Sequence, residues 1–256
     1  MNHVYFKQPY QKSADTMVES AVREKGQLLI CLEENLYHAK GGGQPDDRGE
    51  IELCGKRVPV EGLVKRKGST YVVVRDDPAF DDVGFGEPVR CLVDWPRRYL
   101  LMRNHTAAHI AMGALARLVD GYEPCGIEIA EDGSTCAMRF TGSAGAALPD
   151  LQAVEALVAQ VVAQDLPVNA ESFKSVDAAR ATLPTIFRSD PRLKFNGNVR
   201  VVTIHEFDAN PCGGSHLART SEVGKLRLQF AGWAGSDGVM SLCLSLENLN
   251  EMPDPS

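Results

Sequence analysis

The sequence predicts an α+β protein, with a small antiparallel β-barrel domain at residues 1–94 followed by a two-layer α/β sandwich at residues 95–256. Two observations support this prediction. Up to about residue 94 the chain consists of short β-rich runs separated by turn residues, with almost no helical periodicity. Beyond that point the composition changes, because helical runs rich in Leu and Ala occur among further strand-like runs.

The N-terminal region contains a series of strand-like runs, namely QLLICLEE, RGEIELCG, KRVPVEGLVKR, STYVVVRD and PVRCLVDW. Clusters of Gly and Asp separate these runs, at GGGQPDD, KGS, RDDPAFDD and GFGE. Short strands joined by such turns favour antiparallel pairing. We therefore expect a small barrel or a curled sheet.

The region that follows opens with RRYLLMRNHTAAHIAMGALARLV, from Arg97 to Val119, which contains no Pro and one Gly. This composition predicts a long helix. A second helix is predicted over PDLQAVEALVAQVVAQDL, with Pro149 in its first turn. Strands are predicted at CGIEIA, TCAMRF, VNAESFKSV, VRVVTIHEF, VGKLRLQF and GVMSLCLSL. Helices and strands in this order predict a two-layer sandwich.

The composition restricts the class of protein and its compartment. A net charge of −7 argues against a surface that is basic throughout, although it allows a local basic footprint for nucleic acid. The seven cysteines are widely spread, which indicates a reducing cytosol rather than a disulfide scaffold. The N-terminus has no apolar export signal, and no run reaches the roughly 20 apolar residues that cross a bilayer. We expect a soluble cytoplasmic protein.

Two pairs of residues have the spacing of metal ligands. His105 and His109, in HTAAH, lie one turn apart on one face of the predicted long helix. Cys212 and His216, in NPCGGSH, have the same spacing and enclose two glycines. Either pair alone is more typical of ordinary surface or core residues. Together, one thiolate and three imidazoles suit tetrahedral Zn²⁺.

Missing residues exclude two classes of zinc enzyme. A zincin protease needs Glu directly after the first His as its general base, and that position is Thr106. A cytidine deaminase needs His-x-Glu with Pro-Cys-x-x-Cys, and the chain has neither pattern. The predicted metal centre therefore serves a different reaction.

Three longer runs are DWPRRYLLMRNHTAAH (94–109), FNGNVRVVTIHEFDANPCGGSHLARTSEVG (195–224) and GGGQPDDRGEI (41–51). In this order they resemble the editing portion of alanyl-tRNA synthetases and the freestanding AlaX proteins. The glycine-rich run, in its own β domain, resembles the medium-length AlaX type. The resemblance implies an aminoacyl-tRNA hydrolase with tRNA as its partner. It would remove chiefly serine, with glycine as a second substrate, from mischarged alanine tRNA. We expect one Zn²⁺ per chain, in a monomer or homodimer.

The resemblance also assigns roles at the metal. It makes His105, His109, Cys212 and His216 the metal ligands. We expect three of them to bind firmly and His216 to exchange, because a catalytic site needs one open position. His216 is therefore a catalytic candidate as well as a ligand.

Three further residues have candidate roles around the metal. Thr106 lies beside the first ligand, where its hydroxyl could meet the hydroxyl of a serine substrate. The alternative is an ordinary Thr on the helix surface. Gln44 is a catalytic candidate that could reach the aminoacyl group or the CCA end, or else lie in a plain hairpin turn. Asp208 could orient a ligand histidine, or lie on loop surface.

The candidate tRNA contacts are the glycine-rich run Gly41, Gly42 and Gly43, and the helical Arg98 and Arg103. Both arginines could bind phosphate near the acceptor end, although packing along the helix explains them nearly as well. Two details depart from the family pattern. Ser215 replaces the common Thr of the Cys-Gly-Gly-x-His turn, and His38-Ala39-Lys40 precedes the glycines in place of the more usual Pro or Glu.

Two other functions remain open from the sequence. Threonyl-tRNA editing domains share a similar motif, so the substrate could be serine attached to threonine tRNA. Alternatively, zinc could only stabilise a tRNA-binding module without catalysis. The glycine-rich N-terminal domain favours alanine tRNA, and the two glycines beside Cys212 favour catalysis.

Overall fold

The computed structural model describes residues 2–142, 148–188, 195, 197–234 and 239–247. The chain divides into two compact units, one comprising Met1–Gly41 and Pro45–Arg98, the other Gly42–Gln44 and Tyr99–Ser256. Three residues of the glycine-rich run therefore belong to the second unit. The domain boundary expected at residue 94 stays a prediction.

The first unit is built mainly from an antiparallel sheet of seven strands in the order β6-β5-β9-β2-β3-β8-β7. The remaining strands, β1 and β4, pair in parallel. Its elements are β1 (Asn2–His3), α1 (Val4–Lys7), β2 (Ser13–Glu24), β3 (Gln27–Leu32), β4 (Glu34–Asn35), β5 (Gly49–Leu53), β6 (Lys56–Pro59), β7 (Gly62–Arg66), β8 (Ser69–Arg75), a 3₁₀ turn (Pro78–Phe80) and β9 (Pro88–Val93). The curled sheet predicted for this region is confirmed.

Strand β2 explains why the sheet curls. Its first half, from Ser13 to Met17, pairs with β9, and its second half, from Val18, pairs with β3. A bulge between Val18 and Ser20 separates the halves, and bulges bend a strand and increase its twist. The curled sheet encloses a buried apolar core that includes Leu28, Ile30, Ile51, Val72, Val74 and Phe80. Strand β2 was not predicted from the sequence, because its residues SADTMVESAVRE are largely polar.

The second unit combines helices with two antiparallel sheets, in the orders β10-β11-β16-β15 and β12-β13-β14. Its elements are α2 (Trp95–Leu118, which belongs to this unit from Tyr99 onward), β10 (Tyr122–Ile129), β11 (Thr135–Gly142), α3 (Leu151–Ala163), β12 (Val168–Phe173), α4 (Val176–Thr182), β13 (Val199–Ile204), β14 (Asp208–Pro211), a 3₁₀ turn (Thr220–Val223), β15 (Leu226–Ala234) and β16 (Val239–Leu246). The predicted α+β fold is confirmed.

Helix α2 is the central element of the second unit. Every residue from Leu101 to Leu115 is buried, so the helix is covered on all sides. At Gly113 the ring of Phe207 packs against the helix backbone, and an added Cβ would lie 2.7 Å from Phe207 Cε1. This close approach brings the start of β14 beside α2. No helix in the described part of the chain is long and apolar enough to cross a membrane.

The second predicted helix forms, but it begins later than expected. Asp150 is the N-cap of α3, and its carboxylate accepts hydrogen bonds from the backbone N–H groups of Gln152 and Ala153. Pro149 therefore precedes the cap and does not lie in the first turn, which corrects the prediction. The helix ends at Ala163, and Asp165 then adopts a φ of +52°.

Candidate metal centre

Helix α2 supplies the first two candidate ligands. His105 and His109 lie one turn apart, and their ring centroids are 5.5 Å apart. Both side chains are buried, at 1% and 3% exposure. Burial of an imidazole requires a partner for its polar nitrogens, since an unpaired buried polar group is costly. The partners come from segments that are distant in the sequence.

The turn after β14 supplies the other two ligands, and strand β13 holds this turn in place. Arg200 Nη1 donates to the backbone carbonyls of Cys212 at 2.8 Å and Gly214 at 3.0 Å. The backbone N–H of Cys212 donates to the carbonyl of Arg200 at 3.0 Å. The turn is thus fixed at both ends of the Cys-Gly-Gly run.

The two predicted pairs meet at Cys212. Its Sγ lies 3.3 Å from Nε2 of His105 and 3.2 Å from Nε2 of His216. Together with a ring nitrogen of His109, the candidate ligand atoms all lie within 4.8 Å of one another. Ligand atoms around tetrahedral Zn²⁺ are about 3.5 Å apart, given Zn–S and Zn–N bonds of about 2.3 and 2.0 Å. The four residues could therefore hold one metal ion.

The outward nitrogens of two histidines are engaged in a way that suits metal binding. His105 Nδ1 donates to Oε1 of Gln44 at 2.8 Å. His216 Nδ1 lies 3.2 Å from Oγ1 of Thr106. The same Oγ1 accepts a hydrogen bond from the backbone N–H of Leu217 at 3.1 Å. When Nδ1 carries the proton, Nε2 presents its lone pair, and in both rings Nε2 faces the sulfur. The side chains therefore fit a bound cation.

The third histidine faces a carboxylate. Asp208 is fully buried, and its Oδ2 lies 3.6 Å from Nδ1 of His109. Asn210 donates to Oδ2, and Arg188 Nε lies 3.4 Å from Oδ1. Carboxylates in this position orient metal-bound imidazoles and make them more basic. The location of Asp208 agrees with the orienting role suggested by the sequence, and that role remains a proposal.

The electrostatics favour an anionic sulfur. Burial raises the pKa of the Cys212 thiol, but the neighbouring His105 and His216 outweigh burial and hold its pKa well below the usual range. Burial also holds the pKa of His216 well below its usual value. For His109, burial lowers the pKa, whereas Asp208 and Cys212 raise it to about 9. The thiolate is the form of cysteine that binds metals.

A cavity of about 480 Å³ opens onto the ligand cluster. This volume is within the range of small-molecule sites. His105, His109 and Cys212 form one part of its wall, and the other lining residues are Gly42, Gly43, Met112, Pro124, Cys125, Gly126, Ile127, Phe195, Asn198, Val199, Arg200, Asn210, Pro211 and Gly213. Polar groups in a largely apolar cavity next to a metal centre are typical of a substrate site.

Comparison with known proteins connects this centre to aminoacyl-tRNA synthetases. A family profile described as the threonyl and alanyl tRNA synthetase second additional domain matches residues 199–243. The alanyl-tRNA editing protein AlaX-L of Pyrococcus horikoshii is 28% identical over 89% of this chain. The chain is thus similar in sequence to an alanyl-tRNA editing protein over most of its length. The predicted resemblance is confirmed.

The chain also matches alanine–tRNA ligases. The chain is 32% identical to the ligase of Korarchaeum cryptofilum over 93% of the chain's length. It is 31% identical to the ligase of Caldivirga maquilingensis over 80% of the chain's length. It spans 54% of AlaX-L, and 25% and 22% of the two ligases. The similarity to the ligases thus concerns one part of those much longer chains.

Gln44 lies inside the second unit and not at the surface. Its side chain is fully buried, with Nε2 donating to Ser215 Oγ at 2.9 Å and Oε1 accepting the Ser215 N–H at 3.1 Å. The predicted contact with the aminoacyl group or CCA end would require these bonds to break. Gly42 and Gly43 line the cavity, whereas Gly41 belongs to the first unit.

The two arginines predicted to contact phosphate are both buried. Arg98 is fully buried, forms an ion pair with Asp47 and donates to the carbonyl of Leu36 at 2.9 Å. Arg103 is 3% exposed and donates to the carbonyl of Val223 at 3.0 Å. These contacts stabilise each unit from within. This burial agrees with the alternative that both arginines pack within the protein. It gives no support to the predicted phosphate contacts.

Arg200, which holds the turn of the candidate ligands Cys212 and His216, was not predicted from the sequence. One signal was present, because Arg200 is a single charged residue in the otherwise apolar strand run VRVVTI. A charge inside such a run needs acceptors, and here the acceptors are two carbonyls of the ligand turn.

Proposed function

We propose that this chain is a zinc-dependent hydrolase that removes a wrongly attached amino acid from alanine tRNA. The observation that carries the proposal is the buried cluster of one cysteine and three histidines, which opens into a cavity of about 480 Å³. The named editing protein and the alanine–tRNA ligases support the substrate class. The reaction is hydrolysis of the ester between the amino acid and the terminal ribose.

The donor set supports zinc. Three imidazole nitrogens and one thiolate suit the borderline-soft Zn²⁺, whereas Mg²⁺ and Ca²⁺ prefer oxygen ligands. Bound Zn²⁺ would supply Lewis acidity toward the ester carbonyl. Water adds to that carbonyl carbon, the bond to the ribose oxygen breaks, and the amino acid and the tRNA hydroxyl leave. We propose one ion per chain, in a monomer or homodimer.

The residues behind the ligands support unequal binding. Among the described residues, a buried carboxylate oxygen of Asp208 lies 3.6 Å from Nδ1 of His109, whereas the neutral hydroxyl of Thr106 lies 3.2 Å from Nδ1 of His216. A carboxylate partner strengthens an imidazole as a ligand more than a neutral hydroxyl does. We therefore propose that His105, His109 and Cys212 bind firmly, and that His216 is the ligand that exchanges when substrate enters.

The cavity wall supports recognition of a short polar amino acid on a nucleoside. Asn198, Arg200 and Asn210 supply polar groups, while Ile127 and Phe195 supply apolar and aromatic surface. Aromatic side chains stack on unpaired bases at single-stranded ends. We propose tRNA as the partner, serine as the main amino acid removed and glycine as the second.

The proposal is tested by single-turnover hydrolysis of alanine tRNA charged with serine, glycine or alanine. We expect rapid release of serine, slower release of glycine and little release of alanine. Treatment with a strong chelator abolishes the activity, and added Zn²⁺ restores it. Binding of Ser-tRNA without turnover would instead identify a zinc-stabilised binding module. Faster hydrolysis of serine from threonine tRNA would make threonyl-tRNA editing the function.

Thr106→Val tests the contact between Thr106 and His216. The substitution keeps the side-chain volume but leaves the Nδ1 of His216 and the N–H of Leu217 without an acceptor. Unsatisfied buried groups cost about 1–3 kcal/mol, so we expect a lower midpoint of thermal unfolding and slower deacylation. Full retention of both would contradict the contact.

The same variant tests the serine contact predicted from the sequence. That role requires the ratio of serine release to alanine release to fall as well. An unchanged ratio would leave Thr106 only with the task of holding His216.

A further inference from the structure

We propose that Gln44 is a positioning residue of the metal centre. Its amide fixes the imidazole of His105 and ties together the two segments that supply the ligands. The inference rests on the proposed metal-binding function. It replaces the role in substrate contact suggested by the sequence with a role behind the metal ligands.

The amide of Gln44 connects three points of the site. Oε1 accepts from His105 Nδ1 at 2.8 Å and from the Ser215 N–H at 3.1 Å, which uses both of its lone pairs. Nε2 donates to Ser215 Oγ at 2.9 Å. One side chain thus holds the helix that carries His105 and the turn that carries the neighbouring ligands. These hydrogen bonds are shielded from solvent, because Gln44 and Ser215 are both fully buried.

These bonds determine the tautomer of His105. A carboxamide oxygen only accepts hydrogen bonds, so His105 Nδ1 must carry the proton. Nε2 then has a free lone pair, and it lies 3.3 Å from Sγ of Cys212, the neighbouring candidate ligand. Without the acceptor, the ring could take the other tautomer or rotate away. Gln44 therefore prepares His105 for the metal before the metal binds.

The backbone holds Gln44 at this point through Gly43. The carbonyl of Gly43 accepts the Ile129 N–H at 2.8 Å, which attaches the segment to strand β10. A Cβ at Gly43 would lie 2.2 Å from the carbonyl oxygen of Ile127, and the φ of +79° also favours glycine. The close approach of Gly43 to β10 explains why glycine is needed directly before the positioning amide.

The arrangement completes a pattern among the three histidines. His109 has the Asp208 carboxylate as its outward partner, and His216 has the Thr106 hydroxyl. Gln44 provides the corresponding partner for His105 from a segment 61 residues earlier in the chain. A side chain of a different chemical type thus lies beside the Nδ1 of each imidazole. Removing one such partner commonly weakens metal binding about 10- to 100-fold.

The test compares Zn²⁺ affinities of the purified full chain, measured by competition with a chromophoric chelator. We expect Gln44→Met to weaken Zn²⁺ binding about 10- to 100-fold, because Met matches the length of Gln but cannot accept from His105. The absorption bands of the Co²⁺-loaded protein, which report ligand geometry, should also change in energy or intensity. Gln160→Met, on the exposed face of α3, is the matched control and should leave both readouts unchanged.

A conservative variant separates positioning from simple packing. In Gln44→Glu the carboxylate can still accept from His105 Nδ1 and the Ser215 N–H, and the Ser215 hydroxyl can rotate to donate. We expect this variant to bind Zn²⁺ at least as tightly as the original protein. If Gln44→Met does not fold, as judged by circular dichroism, Gln44→Glu decides. Retained affinity supports the role, and a loss of about 100-fold overturns it.

The result is independent of whether the proposed substrate is correct. If Gln44→Met folds and binds Zn²⁺ and Co²⁺ like the original protein, the positioning role is wrong even if Ser-tRNA is hydrolysed. If the affinity falls as expected but no charged tRNA is hydrolysed, the positioning role stands and the proposed reaction fails.

Discussion

Replacing Cys212 with serine should remove the bound metal and lower the rate of serine release by about a thousandfold. The sulfur is the common neighbour of His105 and His216, and a neutral hydroxyl is a far poorer zinc ligand than a thiolate. Metal catalysis contributes several kcal/mol to transition-state stabilisation. A loss of about 4 kcal/mol corresponds to a factor of about a thousand in rate.

The measurement combines metal content, by atomic emission of the dialysed protein, with single-turnover hydrolysis of Ser-tRNA. Cys54→Ser is the matched control, because Cys54 is exposed and lies in the first unit, outside the ligand cluster. Cys54→Ser should retain both metal and activity. A Cys212→Ser protein with full metal content and undiminished turnover would refute the proposed centre.

The second large effect is expected from a single methyl group at Gly214. An added Cβ would lie 2.2 Å from Cε1 and 2.3 Å from Nδ1 of His105, and 2.8 Å from Oε1 of Gln44. Contacts this short force both side chains to move, and overpacking of this kind costs about 1–3 kcal/mol. Gly214→Ala should therefore weaken Zn²⁺ binding by roughly 10- to 100-fold and slow hydrolysis at least as much.

Gly213 offers an unusually close control for that variant. It is the neighbouring residue of the same turn, and a Cβ there would meet nothing within 4 Å. Neither glycine has a positive φ, so backbone strain does not distinguish the two substitutions. Gly213→Ala should bind Zn²⁺ with the original affinity. Equal loss of metal in both variants would show that the turn needs glycine for flexibility and not for space.

The parts of the site that were predictable follow from local periodicity. His105 and His109 share a helix face because they are four residues apart, and the Cys-Gly-Gly-x-His turn has the same spacing. Such intervals can be read directly in a sequence. The long helix was equally predictable, because a long run rich in Leu and Ala, without Pro and with one Gly, favours a helix.

The parts that could not be predicted depend on contacts between distant segments. Nothing near Gln44 in the sequence shows that its partner is His105, because the bond spans 61 positions. The buried Arg98 and Arg103 likewise donate their hydrogen bonds to carbonyls that are distant in the sequence. A basic residue on a helix has the same local pattern whether it meets phosphate or the protein interior, so the burial of these two arginines was not readable from the sequence.

Strand β14 was missed for a related reason. It has four residues, Asp208–Pro211, and within the described part of the chain it pairs with one strand, β13. Yet it carries Asp208 to the outward nitrogen of His109. Short strands have too few residues for alternation to be visible, and they form because longer neighbours provide their hydrogen bonds.

Because Gly42–Gln44 belongs to the second unit, this unit cannot be isolated by a simple truncation of the chain. A truncation that starts at Tyr99 would look like a clean excision of one folded module. Such a truncation would remove the acceptors of the Ile129 N–H and of His105 Nδ1, which are the Gly43 carbonyl and Gln44 Oε1. The second unit is discontinuous in sequence, and its transfer into another protein must include the tripeptide Gly42–Gln44.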